Sequence, residues 1–127
     1  MKKYIIMGLL FSTLFNIGCQ ESNTSEVLEI NAFKLGIEKE ENILLIDVRT
    51  PKEYNEGFIK GALNIDFLNT KTFNNKIQEL DKNKELYIYC RSGGRSQKAA
   101  KIMSKMGFEK VYDLKGGYLN WTKKIAK

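Results

Sequence analysis

Two segments of the chain are apolar runs without alternation: ILLIDV, from Ile43 to Val48 and interrupted only by Asp47, and LYIYC, from Leu86 to Cys90. A strand with one wet face alternates apolar and polar residues, whereas a strand covered on both faces need not. Non-alternating runs rich in Ile, Leu, Val and Tyr therefore belong inside a parallel sheet. Parallel neighbours need long crossovers, usually helical, and the intervening segments have that character. VLEINAFKLGIEKEEN predicts a short strand and then a helix capped by Asn31, offering Phe33, Leu35 and Ile37 to a core. TPKEYNEGFIKG predicts a turn and a short helix, with Pro51 near its start and Gly57 near its end. ALNI is a short strand, and LNTKTFNNKIQEL an amphipathic helix carrying Phe73, Ile77 and Leu80. After Cys90, the residues Ala99, Ile102, Met103 and Met106 fall on one face of a helix that Gly107 stops. FEKVYDL predicts another strand, and GGYLNWTKKIA a turn and a closing helix. The expected fold class is α/β: a single domain with a mostly parallel central sheet flanked by helices.

The N-terminus has a different character. Lys2 and Lys3 precede an apolar stretch, Tyr4 to Ile17, too short for a comfortable membrane span. Gly18 and Cys19 follow, then the polar, aperiodic QESNTSE. The expected division is a signal peptide at 1–18, a flexible tether at 19–26 and the folded domain at 27–127. A basic start, an apolar run and then Gly-Cys resembles a bacterial lipoprotein signal. Asn16 stands three before the cysteine, where that pattern usually has an aliphatic residue. The resemblance implies removal of the signal, a lipid on Cys19 and a membrane-anchored domain facing the periplasm or the cell exterior. A plain signal peptide and an uncleaved anchor are the other readings, and all three export the domain. Lipidation would leave Cys90 as the only thiol of the mature protein.

The formal charge is +6, with 21 Lys and Arg against 15 Asp and Glu. The lysines are scattered, without the dense basic stripe that nucleic-acid binding requires, so no nucleic-acid partner is expected. A basic surface still attracts small anions. With no histidine and two cysteines, the chain lacks the four Cys or His ligands of a structural zinc site. No metal and no cofactor are expected, and the domain is expected to be a monomer.

Cys90 leaves its strand into the loop Arg91, Ser92, Gly93, Gly94, Arg95, Ser96. Sites in parallel sheets collect beyond the carboxyl ends of the strands. Gly93 and Gly94 allow positive φ angles, so that successive amides can converge on one point as an anion nest. A helix beginning near Ser96 adds its positive end, and Arg91 and Arg95 add full charges. Such surroundings favour a thiolate without any histidine. An inert buried cysteine is the plainer alternative, but two glycines, two arginines and a helix start argue against it. Thiolates in such cradles perform phosphoryl transfer or carry sulfane sulfur. Cysteine phosphatases resemble one another in Cys-x5-Arg; here the spacing from Cys90 to Arg95 is Cys-x4-Arg, and Ser96 stands where their arginine would.

CRSGGRS resembles the active-site loop of the rhodanese-like domains. DVRTPKEYNEGFIKGALNI (Asp47 to Ile65) resembles that family's upstream motif, and VYDLKGGYLNW its closing segment. The resemblance implies a sulfurtransferase. Cys90 takes the outer sulfur of a small anionic donor such as thiosulfate, holds it as a persulfide, and yields it to a thiol, to cyanide or to a protein acceptor. The amides from Arg91 to Ser96 would stabilise the persulfide, Arg91 and Arg95 would orient the donor, and Asp47 and Arg49 would brace the loop by an ion pair. Where the family often reads Gly-His-Ile, this chain has Gly57, Phe58 and Ile59. A sulfur-carrying module with little turnover of its own, a phosphatase or arsenate reductase relative, and a silent binding domain are the competing readings.

Overall fold

The computed structural model describes residues 24–39 and 41–125. Cys19, the signal segment and the first part of the expected tether lie outside the described residues. Five strands form one sheet: β1 (Thr24–Leu28), β2 (Ile43–Asp47), β3 (Leu63–Asn64), β4 (Glu85–Tyr89) and β5 (Lys110–Leu114). Their order is β1-β5-β4-β2-β3, and every pairing is parallel. The crossovers carry α1 (Ile30–Lys39), α2 (Pro51–Asn55), α3 (Thr70–Gln78) and α4 (Gly94–Lys105), and α5 (Gly117–Ile125) closes the chain. The chain thus has the α/β fold with a parallel central sheet that its apolar runs predict.

Both faces of the sheet are covered, which is why β4 shows no polar alternation. Leu86, Ile88 and Cys90 pack with Phe73 and Ile77 of α3 and with Ala99, Ala100 and Met103 of α4. Tyr87 and Tyr89 point the other way, towards Ile30 and Phe33 of α1, with Tyr118 and Trp121 of α5 packed against that cluster. Leu86, Ile88 and Tyr89 are completely buried. Burying one such side chain is worth about 1.5–3 kcal/mol, so the central strand is held from both sides and its carboxyl end is a rigid platform.

Four local expectations are corrected. β1 begins at Thr24, inside the segment assigned to the tether, because Thr24, Ser25 and Glu26 align with Lys110, Val111 and Tyr112 of β5. Asn31 lies within α1 rather than capping it; the Phe33 amide already donates to the Glu29 carbonyl at 3.0 Å. Leu35 is exposed, since Ile30 and Phe33 set the buried stripe. Of the expected α4 face, Ala99 and Met103 are buried and Met106 packs against the core, but Ile102 is exposed, and the small Ser96, Ala100 and Ser104 complete the buried stripe. That spacing is as helical as the expected one, and its short side chains let α4 approach the sheet closely.

The closing turn touches the loop after β4. Gly117 has φ +61, and a Cβ there would stand 2.5 Å from the Cys90 carbonyl oxygen and 2.6 Å from the Arg91 carbonyl. Backbone cannot step aside as a flexible side chain can. Gly117→Ala should therefore destabilise the protein by about 2 kcal/mol or more, summing left-handed strain and the clash. Urea unfolding measures it, and an unchanged midpoint would contradict this packing.

Candidate active site

The carboxyl ends of β2 and β4 lie side by side, with Asp47 opposite Tyr89, and Cys90 is the next residue of the chain. Its residue is 1% exposed. The Gly93 N–H donates to Sγ at 3.0 Å and the Ser96 hydroxyl lies 3.3 Å from Sγ. Gly93 makes the first contact possible: with φ +114 it turns the chain back over the sulfur and serves as N-cap of α4. Gly94 does not share that role. It is absent from the left-handed region and is already the first residue of the helix. The helix also starts two residues earlier than expected, so the amides of Gly94, Arg95 and Ser96 form its first turn and have no partner within it. These donors and the helix dipole surround the sulfur with positive potential. Arg91 and Ser92 are exposed at the rim.

Arg95 is committed to a carboxylate that the sequence reading did not single out. Its Nη1 and Nη2 donate to Oε1 and Oε2 of Glu53 at 2.8 and 2.9 Å, a bidentate pair. Glu53 has a second duty: Thr50 and Glu53 form a capping box at the start of α2, each accepting the other's backbone N–H at 3.3 Å. The Arg95 guanidinium, outweighing burial, holds the Glu53 carboxyl at about 2. Arg95 also senses the nearby Cys90 sulfur electrostatically. Arg95 thus fixes the loop to α2, and Arg91 is the cation at the exposed rim. The Thr50-x-x-Glu53 spacing could have revealed the cap; only the tertiary fold brings Arg95 to it.

Asp47 and Arg49 are fully buried and 4% exposed respectively, and they form an ion pair. Arg49 Nε donates to Oδ1 and Oδ2 of Asp47 at 3.0 and 3.1 Å, and Nη2 donates to Oδ2 at 2.7 Å. Burial works against the Arg49 charge, and Asp47 more than compensates, raising the guanidinium above its ordinary value. Neither residue touches the sulfur. Their reach is indirect: Arg49 Nη2 donates to the Gly57 carbonyl at 2.7 Å, and the guanidinium lies 4.2 Å from the centre of the Tyr118 ring. Tyr118 in turn donates its backbone N–H to the Cys90 carbonyl at 2.8 Å, and Leu119 does the same for Arg91 at 3.0 Å. Asn64 Nδ2 ties the exit of β2, donating to the Asp47 and Arg49 carbonyls at 3.0 and 2.8 Å. Phe58 is exposed and stacks on Tyr54, with ring centroids 4.1 Å apart.

The loop's two glycines are not equivalent. Gly94→Ala should be accepted, since no atom lies within 4 Å of the added carbon and the backbone is helical, whereas Gly93→Ala should slow alkylation of Cys90 by iodoacetamide because the left-handed turn over sulfur is strained. Equal rates in the two variants would refute this assignment. The Glu53 pair gives a pH test. A lowered folded value makes its stabilisation complete above the ordinary carboxylate value of 4.5 and progressively lost as pH falls towards about 2. Wild type and Glu53→Gln should therefore differ in urea midpoint at pH 7, with the gap closing below pH 4.5. A gap independent of pH would contradict it.

Comparison with known proteins agrees with this geometry. The model of the family Rhodanese-like domain matches residues 30–124. A tRNA uridine(34) hydroxylase of Pelagibacter ubique is 40% identical over 88 residues, covering 69% of this chain and 29% of that protein. A sulfurtransferase of Allochromatium vinosum is 35% identical over 83 residues, covering 65% of this chain and 75% of that protein. The solved structure of a rhodanese-like domain protein from Staphylococcus aureus superposes with a TM-score of 0.66 at 25% identity, covering 76% of this chain and 90% of that one. The chain thus spans under a third of the hydroxylase, so that similarity concerns one part of a larger protein. With the cysteine at the strand end, the cradle over its sulfur and a family match across almost all of the described residues, the chain belongs to the rhodanese-like domain family.

Proposed function

We propose that the protein is an exported, lipid-anchored sulfurtransferase that carries sulfane sulfur on Cys90. The observation that carries this reading is the tight loop focused on a single atom, with the Gly93 amide and the Ser96 hydroxyl both directed at Sγ. Six residues run from Cys90 to Arg95. A loop this short suits one added sulfur better than a tetrahedral phosphate, whose three peripheral oxygens need a wider ring of donors. Arg95 is also engaged by Glu53, which leaves it less free to grip an oxyanion in the way a phosphatase arginine does. The reaction runs through two displacements. The Cys90 thiolate attacks the outer sulfur of thiosulfate; the thiosulfate S–S bond breaks, sulfite departs with its electron pair, and Cys90 becomes a persulfide anion. An acceptor thiolate or cyanide then attacks the outer sulfur and expels the Cys90 thiolate.

The first-turn amides of α4 supply hydrogen bonds to the persulfide that the bare thiolate does not fully use. Arg91, exposed at the rim, attracts the anionic donor. Because Cys90 itself is almost wholly buried, the outer sulfur of the persulfide is what an acceptor meets. In this reading the basic and apolar start would direct export, and a lipid on Cys19 would hold the domain at a membrane.

The direct test is the mass of the protein after mixing with thiosulfate. The native chain should gain one sulfur atom, released again by a thiol, and Cys90→Ser should gain none. The same spectrum of protein taken from cell membranes should show the lipid on Cys19. No gain with thiosulfate or with any persulfide donor would sink the sulfurtransferase reading. A gain with no multiple turnover on small acceptors would assign it instead as a carrier serving a protein partner.

A further inference from the structure

On the face of the sheet that bears Cys90, one buried acid has no assigned purpose. Asp113 sits on β5 opposite Ile88 of β4 and is 1% exposed. Neither of its carboxylate oxygens makes a hydrogen bond of good geometry among the described residues; the donors that approach it are the Ser96 hydroxyl and the Leu114 amide. A buried carboxylate so poorly partnered is costly, so it retains its proton to higher pH. Burial pushes Asp113 up to about 6, with the Ser96 hydroxyl and the Leu114 amide working against the rise. Ser96 is the residue that contacts the Cys90 sulfur.

The Ser96 hydroxyl has one proton and two acceptors in range, Cys90 Sγ and the Gly93 carbonyl, both at 3.3 Å. It is completely buried, so water cannot supply a third. Its choice is therefore set by whatever occupies its lone pairs. We propose that Asp113 is a positioning residue for Cys90 that acts through Ser96: protonated, it donates to Ser96 Oγ and steers the Ser96 proton onto sulfur; ionised, it draws that proton to itself. Asp113 lines a crevice of about 250 Å³ between β1 and α4, together with Ser25, Val27, Gln97, Ala100 and Lys101.

The surroundings contain little else that titrates. β1 presents Ser25 and Val27, β4 presents Ile88, and α4 presents Ser96, Gln97 and the exposed Lys101, the charged side chain of that crevice. Cys90 is the titratable group on the far side of Ser96. The device makes anionic sulfur better supported on the acid side of neutrality than above it.

This rests on Cys90 as the reactive sulfur, but its test needs no sulfur donor. Native full-length protein is alkylated with iodoacetamide from pH 5 to 8, and modification is followed on the tryptic peptide Glu85–Arg91, which separates Cys90 from Cys19. Asp113→Asn mimics the protonated acid and keeps a donor for Ser96. Its rate should match wild type at pH 5 and exceed it several-fold by pH 7.5. In a Ser96→Ala background the same ratio should stay flat. A ratio constant across the pH range, as a merely structural effect would give, overturns the proposal; so does a pH-dependent ratio that survives Ser96→Ala. Should Asp113→Asn fail to fold, Ser96→Ala alone decides: the wild-type profile should carry a step near pH 6 that Ser96→Ala lacks, and identical profiles overturn it. A step at Cys90 without any sulfur gain from thiosulfate or from any persulfide donor would uphold this proposal and sink the sulfurtransferase reading.

Discussion

The buried ion pair between Asp47 and Arg49 is the contact on which the site's geometry depends. Two residues apart in sequence, they close on each other at the end of β2, and the guanidinium then reaches the Gly57 carbonyl and the face of Tyr118. One cation thereby joins the end of β2, the segment after α2 and the closing helix. A buried pair adds little net stability over a well-packed apolar pair, but losing one partner strands a charge and costs about 3–5 kcal/mol. The pair therefore acts less as glue than as a specification: the elements around Cys90 must come together in one arrangement or leave a bare charge inside.

The cradle itself is made almost entirely of main chain. Its named donors to sulfur are one amide and one hydroxyl, and the helix behind them approaches closely because its inward stripe begins Ser96, Ala99, Ala100. Larger residues at those positions would lift α4 from the sheet and move the donors away from Sγ. Glu53 fixes the loop from the other side, using one carboxylate both to cap α2 and to hold Arg95. Polarity around the sulfur thus comes from backbone geometry that packing enforces, in a protein with no histidine to do the same work.

Much of this was legible in the residues alone. The non-alternating apolar runs at 43–48 and 86–90 marked strands covered on both faces, and Cys90 at the end of one fell where parallel sheets place their sites. Adjacent helix faces were less legible. In α4, Ala99, Met103 and Met106 face the core as their spacing suggested, but Ile102 is exposed while Ala100 and Ser104 are buried, because close approach to a sheet rewards small residues that hydropathy ranks low. The partners of the loop were not legible at all. Glu53 precedes Arg95 by 42 positions and Tyr118 follows Cys90 by a whole strand, and no local pattern encodes such distances. Asp113 left a faint trace, a charged residue at an inward-facing position of a buried strand, and only its surroundings give that trace meaning.

The bond from the Tyr118 amide to the Cys90 carbonyl has a consequence in time. Cys90 emerges from the ribosome well before the residue that pins its backbone. Until the last helix is made and docked, Cys90 belongs to an unshaped loop and is one thiol among the many of a cell. Docking of α5 is thus the event that shapes the loop. A nascent, truncated or half-unfolded copy carries the same cysteine without the field around it, so whatever reactivity that field confers is confined to molecules in which α5 has docked.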